Sequence, residues 1–271
     1  MKFKWMILLV MLGVAVVGGC ALGQRLGMLF AEEWAVQSSA NIRTQYQAMI
    51  EENMERLEGG EGLAVYREMA GFSDDGVIVK QPEEWNLVLV NKWNEIEAGY
   101  VPEMTEVGSG HKVDSRIADS LKDMIVGAKE AGYYIYILSS YRDMEKQISL
   151  YNAEVKKWLY EGLKQEEAEI KAGTIVAYPG TSEHHLGLAV DLVSSEHVRL
   201  DQDAEKTKGY QWLVKHCHEY GFILCYPNNT TDITGIIYEP WHFRYVGEEA
   251  AKEIMEDGIT LEEYLSRLAE K

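Results

Sequence analysis

Apolar positions recur with helical spacing over residues 114–131, where Ile117, Leu121, Met124, Ile125 and Ala128 form one stripe. Asp114 is a candidate N-cap for that helix and Gly132 ends it. A second helix is predicted from Asp143 to about Gly162, with Ile148, Tyr151, Val155 and Leu159 on one face, and a shorter one near residues 165–171. A further helix is expected over residues 205–220, with Trp212, Leu213, His216, Cys217 and Tyr220 along one side and Gly221 at its end. Runs rich in aliphatic, aromatic and β-branched residues predict strands at residues 87–90, 133–138, 188–193, 222–226, 233–238 and 242–246. The polar turn of residues 227–232 is expected to join two of them as a hairpin. Thr260-Leu261-Glu262-Glu263 is a capping-box signature that opens a C-terminal helix. Helices come early and consecutive strands late. That order predicts an α+β fold with a small, mainly antiparallel sheet flanked by helices.

The N-terminus changes the picture. Lys2 and Lys4 precede an apolar run from Trp5 to about Leu22, with no charge until Arg25. Roughly 20 apolar residues span a bilayer core, and the positive flank places the remainder outside the cytoplasm. Residues 1–23 therefore read as a signal anchor, or as a lipoprotein signal, since Val17-Gly18-Gly19-Cys20 resembles a lipobox; a cleaved secretory peptide is the third reading. Residues 24–83 read as a helical stalk and linker interrupted by Gly59, Gly60 and Gly62. Residues 84–250 form the mixed α/β domain and residues 251–271 the C-terminal helix. The net charge of −18 excludes nucleic acid as a partner, because phosphate binding needs a basic face. Cys217 and Cys225 lie in no CxxC pattern, which disfavours a metal site; outside the cytoplasm they could pair, and two small buried thiols is the preferred reading.

Candidate chemistry gathers in two segments. Ser182-Glu183-His184-His185-Leu186-Gly187-Leu188-Ala189-Val190-Asp191 is followed about fifty residues later by Glu239-Pro240-Trp241-His242. Strand alternation puts Ala189 and Asp191 on one face, and a buried carboxylate there needs a partner or a metal. Gly187 lets the chain turn between the histidines and the strand, and the spacing leaves His184 and His185 as rival ligands. Pro240 lacks an N–H, so strand pairing breaks there and Glu239 and His242 can turn toward a common point. Two imidazoles, one ligand carboxylate and one spare carboxylate are what a catalytic zinc site needs. Arg142, where a strand gives way to a helix, can offer a planar fork of donors to a developing oxyanion. His111, His197, His216 and His218 read as structural or exposed.

These residues resemble a known family. Ser182, His184, Gly187, Ala189 and Asp191, with Glu239, Trp241 and His242, are similar to the zinc signature of the VanY-type D-alanyl-D-alanine carboxypeptidases. Ser139-Ser140-Tyr141-Arg142 with Gln147 resembles that family's Ser-Gly-Tyr-Arg block, with Ser140 in place of the usual Gly. The match covers roughly residues 84–250. It implies the fold shared by hedgehog-type domains and D,D-peptidases, Zn2+ held by His184, Asp191 and His242, and Glu239 as general base with Arg142 assisting. It also implies that Ser182, Gln147, Tyr141 and Trp241 contact substrate, and that the substrate is a peptidoglycan stem peptide ending in D-Ala. Wall remodelling or vancomycin resistance is the implied setting. An L,D-carboxypeptidase or peptidoglycan endopeptidase shares the same metal chemistry, and a non-catalytic wall-binding module is the reading from another class.

Overall fold

A computed structural model of the chain describes residues 84–97 and 99–270. The expected anchor or lipoprotein signal, Cys20 and the stalk lie outside these residues. Among the described residues no helix is long and apolar enough to cross a membrane.

A two-stranded hairpin comes first, β1 (Met104–Gly108) and β2 (His111–Asp114). Helix α1 (Ala118–Glu130), strand β3 (Ile135–Ser139), helix α2 (Met144–Tyr160) and helix α3 (Gln165–Gly173) follow. Strand β4 (Ala189–Ser194), helix α4 (Lys208–His216), strand β5 (Phe222–Leu224), the one-turn helix α5 (Thr231–Thr234) and strand β6 (His242–Tyr245) come next. Helices α6 (Glu248–Asp257) and α7 (Leu261–Ala269) close the fold. The main sheet has four strands in the order β3-β4-β6-β5, all antiparallel. This is the expected α+β arrangement.

The sheet divides two cores. Val190, Leu192, Phe222 and Phe243 pack with Ile117, Leu121, Met124 and Ala128 of the α1 region and with Leu213 and Cys217. Ile223 packs instead with Leu87, Leu89 and Val246, and with Ala250, Ala251, Ile254, Leu261, Tyr264 and Leu265 of α6 and α7. Each large apolar side chain buried this way contributes roughly 1.5–3 kcal/mol. The second core corrects the expected boundary at residue 250: α6 begins before it, two helices replace one, and both share a core with strand β5. Cys217 and Cys225 are buried and free, as expected.

Other elements depart from expectation for local reasons. Leu87, Leu89 and Val90 are buried and Val88 half-buried, but the segment forms no strand, because Arg244 rather than a neighbouring strand takes the carbonyls of Asn86 and Val88. The helix expected over 205–220 is broken at Thr207, whose extended backbone and side chain cap α4 through the amide of Tyr210. Its last residues, Cys217–Tyr220, tighten into a 3-10 turn that ends at Gly221. The strand expected at 233–238 is absent from the structure. Residues 231–234 close into α5, and the chain beyond is held by single bonds from Ile237 N–H to Thr174 O and from Glu239 N–H to Tyr226 O. The β1–β2 hairpin went unread, since its signal is only the Gly108-Ser109-Gly110 turn.

Gly187 is required where it stands. Its φ is +71°, and a Cβ there would lie 2.9 Å from the backbone nitrogen of Asp114, whose N–H donates to Gly187 O. Gly187→Ala should cost about 1–3 kcal/mol in urea unfolding, more than Gly258→Ala, where φ is +64° but no atom lies within 4 Å. Equal costs would mean that the close approach does not matter.

Glu262 is buried at the start of α7, with Oε1 accepting from Asn91 Nδ2 at 3.0 Å and Oε2 without a hydrogen-bond partner among the described residues. Burial pushes its carboxyl from 4.5 up to about 7, against the pull of the Asn91 bond. The folded state therefore holds this proton where the unfolded state releases it, so the contribution is present below about pH 4.5 and lost as pH rises through about 7. Glu262→Gln should be more stable than the wild type at pH 8, by on the order of 1–3 kcal/mol, with the gain vanishing below about pH 5. Unfolding curves for both proteins at the two pH values measure this; a gain that does not change with pH contradicts it.

Candidate metal centre and active site

Three neighbouring strands place the site. The antiparallel register sets Ser139 of β3 and His242 of β6 on either side of Asp191 in β4. Side chains paired across strands in this way share a face. All six residues of β4 are buried, so the Asp191 carboxylate has no route to water along its strand. His184 arrives from a 3-10 turn, Glu183–Leu186, which Gly187 ends in a left-handed conformation. Glu239 arrives from the turn that precedes β6, closed by His242 N–H donating to Glu239 O, with Pro240 in its second position.

His184, Asp191 and His242 each bring a ligand atom within 4.8 Å of the others. Their hydrogen bonds fix which nitrogen faces inward. His184 Nδ1 lies 2.7 Å from the carbonyl of Ser140, which only accepts, so Nδ1 carries the proton. Nε2 is then a lone pair, buried, without a hydrogen bond, and 3.3 Å from Asp191 Oδ1. Burial and then Arg142 lower this imidazole to about 4, against Asp191, so it stays neutral. A lone pair facing a carboxylate oxygen is repulsive unless a cation lies between them.

His242 presents the other nitrogen. Its Nε2 donates to Glu183 Oε2 at 3.0 Å, and Nδ1 lies 3.2 Å from Asp191 Oδ1 and 3.8 Å from Glu239 Oε2. Burial opposes its charge, but Asp191 and Glu183 outweigh burial and raise it to about 9. Burial likewise pushes Asp191 up, yet His184, His242 and Arg142 hold it well below the usual carboxylate range. Two imidazoles and an ionised carboxylate converging on one point fit a divalent metal.

His185, the rival ligand, has both nitrogens engaged. Nδ1 donates to Arg142 O at 2.8 Å and Nε2 accepts from Gly180 N–H at 3.4 Å. His111 pairs with Ser140, His197 with Asp201, and His216 with Glu219 while stacking on Trp212.

Around the three donors lies a cleft of about 290 Å3, lined by Arg142, Ser182, Glu239 and Trp241 with apolar walls that include Leu150, Ile175, Val176, Leu200 and Ile236. Arg142 is anchored from three sides. It donates from Nη2 to Asp191 Oδ2 at 2.7 Å, from Nε to Ser139 Oγ at 2.9 Å and from Nη1 to Gln147 Oε1 at 3.4 Å. Gln147 is buried behind it and ties the arginine to Ala177 O at 2.7 Å. Tyr141 is half-buried, held by its amide to Lys112 O, and is not among the cleft-lining residues. Of the four expected substrate contacts, the structure thus brings Ser182 and Trp241 to the cleft, sets Gln147 behind Arg142, and leaves Tyr141 aside. Sequence reasoning missed Glu183 and Arg244, although an arginine two positions after His242 on a buried strand was a signal.

A buried cation site in an apolar cleft, with a further carboxylate and an arginine beside it, defines a metal-dependent hydrolase. A family model described as VanY, D-alanyl-D-alanine carboxypeptidase, matches residues 110–248. The D-alanyl-D-alanine carboxypeptidase of Enterococcus faecalis is 41% identical over 187 residues, 68% of this chain and 67% of that one. Among solved structures, a mutant of the vancomycin resistance D,D-pentapeptidase VanY from the VanB-type resistance cassette, in complex with Zn(II), is 41% identical. It matches with a TM-score of 0.62 over 67% of this chain and 99% of that chain. The LdcB LD-carboxypeptidase, solved for its peptidoglycan recognition, is 34% identical with a TM-score of 0.59, over 69% of this chain and 92% of that chain. The chain belongs to the VanY family of D-alanyl-D-alanine carboxypeptidases.

His184→Ala should lose stoichiometric divalent metal, measured by elemental analysis of the purified protein, whereas His185→Ala should keep it and lose only stability. Metal loss in His185→Ala alone would reverse the ligand assignment.

Proposed function

We propose that this protein is a zinc-dependent D,D-carboxypeptidase that removes the terminal D-Ala from peptidoglycan stem peptides. The observation that carries this reading is the carboxylate of Glu239 beside the three-donor site and inside the same cleft, in a chain of the VanY family. His184 Nε2, Asp191 and His242 Nδ1 would hold the ion. Zinc bound there supplies a Lewis acid and makes a water molecule acidic enough to attack at neutral pH.

The chain's own residues do the rest. Burial raises Glu239 to about 8, opposed first by His242. A cation held beside it would favour its ionised form, which can take the proton of the attacking water and return it to the leaving amine. Arg142, fixed by Asp191, Ser139 and Gln147, offers its guanidinium to the oxyanion of the tetrahedral intermediate. A preorganised donor of that kind is worth roughly 3 kcal/mol. Ser182, which lines the cleft, would bond the peptide or its terminal carboxylate. The apolar walls suit a small aliphatic residue such as D-Ala.

An L,D-carboxypeptidase is the second reading, favoured by the likeness to LdcB. Mass spectrometry of stem peptides ending in D-Ala-D-Ala, D-Ala-D-lactate or a single D-Ala separates the two: loss of one D-Ala from the first is expected, and cleavage of the single-D-Ala peptide alone would select the second. A non-catalytic wall-binding module would need neither Glu239 nor Arg142. We also propose that residues 1–23 tether the domain outside the cytoplasm, where peptidoglycan lies. Protease added to intact protoplasts should then remove the catalytic domain, and protection would contradict this placement.

Glu239→Ala should lower kcat by on the order of 10²–10⁴ while metal stays bound. Normal turnover in that variant would remove Glu239 from the mechanism.

A further inference from the structure

Glu183 has no part in the chemistry above, yet it is 2% exposed and lies between two nitrogen donors. Its Oε1 accepts from Arg244 Nη1 at 2.8 Å, and its Oε2 accepts from His242 Nε2 at 3.0 Å. Arg244 has no freedom of its own. It is 0% exposed, and three further N–H groups donate to Tyr245 O at 2.9 Å, Asn86 O at 3.1 Å and Val88 O at 2.8 Å. A continuous chain of bonds therefore runs from residues 86–88 through Arg244 and Glu183 to the ring of His242.

Glu183, His242 and Cys225 form a second group of metal-capable atoms within 4.8 Å. The guanidinium of Arg244 already supplies the cation there, which leaves Glu183 as a link rather than a ligand. An ionised carboxylate can only accept, so its bond to Nε2 keeps a proton on that nitrogen, and Nδ1 is the nitrogen that gives up its proton to a metal. A ring flip would turn Nδ1 away from Asp191 and break this bond. Outer carboxylates commonly fix ligand histidines in this way.

We infer that Glu183, clamped by Arg244, is a positioning residue that fixes the tautomer and ring orientation of His242 so that Nδ1 faces the metal. The inference rests on the metal-site reading above. In the competing view Glu183 is only the counter-ion of Arg244, and its loss would cost stability alone.

The test uses the full chain as wild type, Glu183→Gln and Glu183→Ala. Zinc affinity is measured by chelator competition, kcat and KM at saturating zinc, and folding by thermal unfolding. The expected result is a zinc affinity reduced about 10–100-fold in Glu183→Ala. Glu183→Gln, whose amide oxygen still accepts from Nε2, should lose less. At saturating zinc kcat should fall while KM stays near the wild-type value. Folded variants with unchanged zinc affinity and kcat overturn the inference. If the variants do not fold, long-range 1H–15N NMR of the zinc-loaded wild type decides. A slowly exchanging, downfield Nε2 proton on His242 with metal on Nδ1 supports the inference, and metal on Nε2 overturns it. A wild type that binds no zinc contradicts the metal-site reading instead.

Discussion

The structure depends on one buried negative charge. Asp191 is 1% exposed in the middle of a strand buried on both faces, a position where an unpaired carboxylate is costly. Its compensation organises the neighbourhood. Arg142 pairs with Oδ2, and both site histidines point a nitrogen at Oδ1. Each partner comes from a different element, and each is held from behind: His184 by Ser140 O, His242 by Glu183, and Arg142 by Ser139 and Gln147. Arg142 offsets much of the cost of burying the charge, and a cation between His184 Nε2 and Asp191 Oδ1 would relieve the lone-pair repulsion left there. The electrostatics that shape the fold here are therefore also those that recruit the metal.

The two faces of the sheet divide the work. One carries the apolar core against α1, where Phe243 and Val190 lock the register of β6 against β4. A one-residue slip in that register would send Asp191 and His242 to opposite faces. The other face carries the site, with Ile223 and the two C-terminal helices packed beside it. Arg244 joins these regions, since it shares a strand with His242 and anchors residues 86–88 at the edge of the second core. Stability of the C-terminal region and geometry of the site are thus mechanically connected.

Much of this was legible in the chain. Asp191, His242 and Glu239 could be picked from the strand alternation around Asp191 and the break at Pro240. The choice of His184 over His185 could not, because adjacent histidines have the same spacing to every partner; only the resemblance chose, and the bonds of His185 to Arg142 and Gly180 now give the physical reason. The α1 and α2 helices were readable from their apolar stripes and α7 from its capping box, although Asp114, the expected N-cap of α1, caps instead a 3-10 turn, Ser115–Ile117, that precedes it. Residues 87–90 and 233–238 misled because apolar runs report burial, not pairing. Whether such a run becomes a strand depends on what satisfies its backbone, here Arg244, Thr174 and Tyr226. Glu183 was invisible as a positioning residue, since its role depends on an arginine 61 positions away.

The central claim is that the buried donors around Asp191 form the metal site. Anomalous diffraction at the zinc edge, from crystals of the zinc-loaded protein, tests it most directly. A single strong peak within bonding distance of His184 Nε2, Asp191 Oδ1 and His242 Nδ1 is predicted. A peak centred instead on Glu183 and Cys225, or on His185, would contradict it.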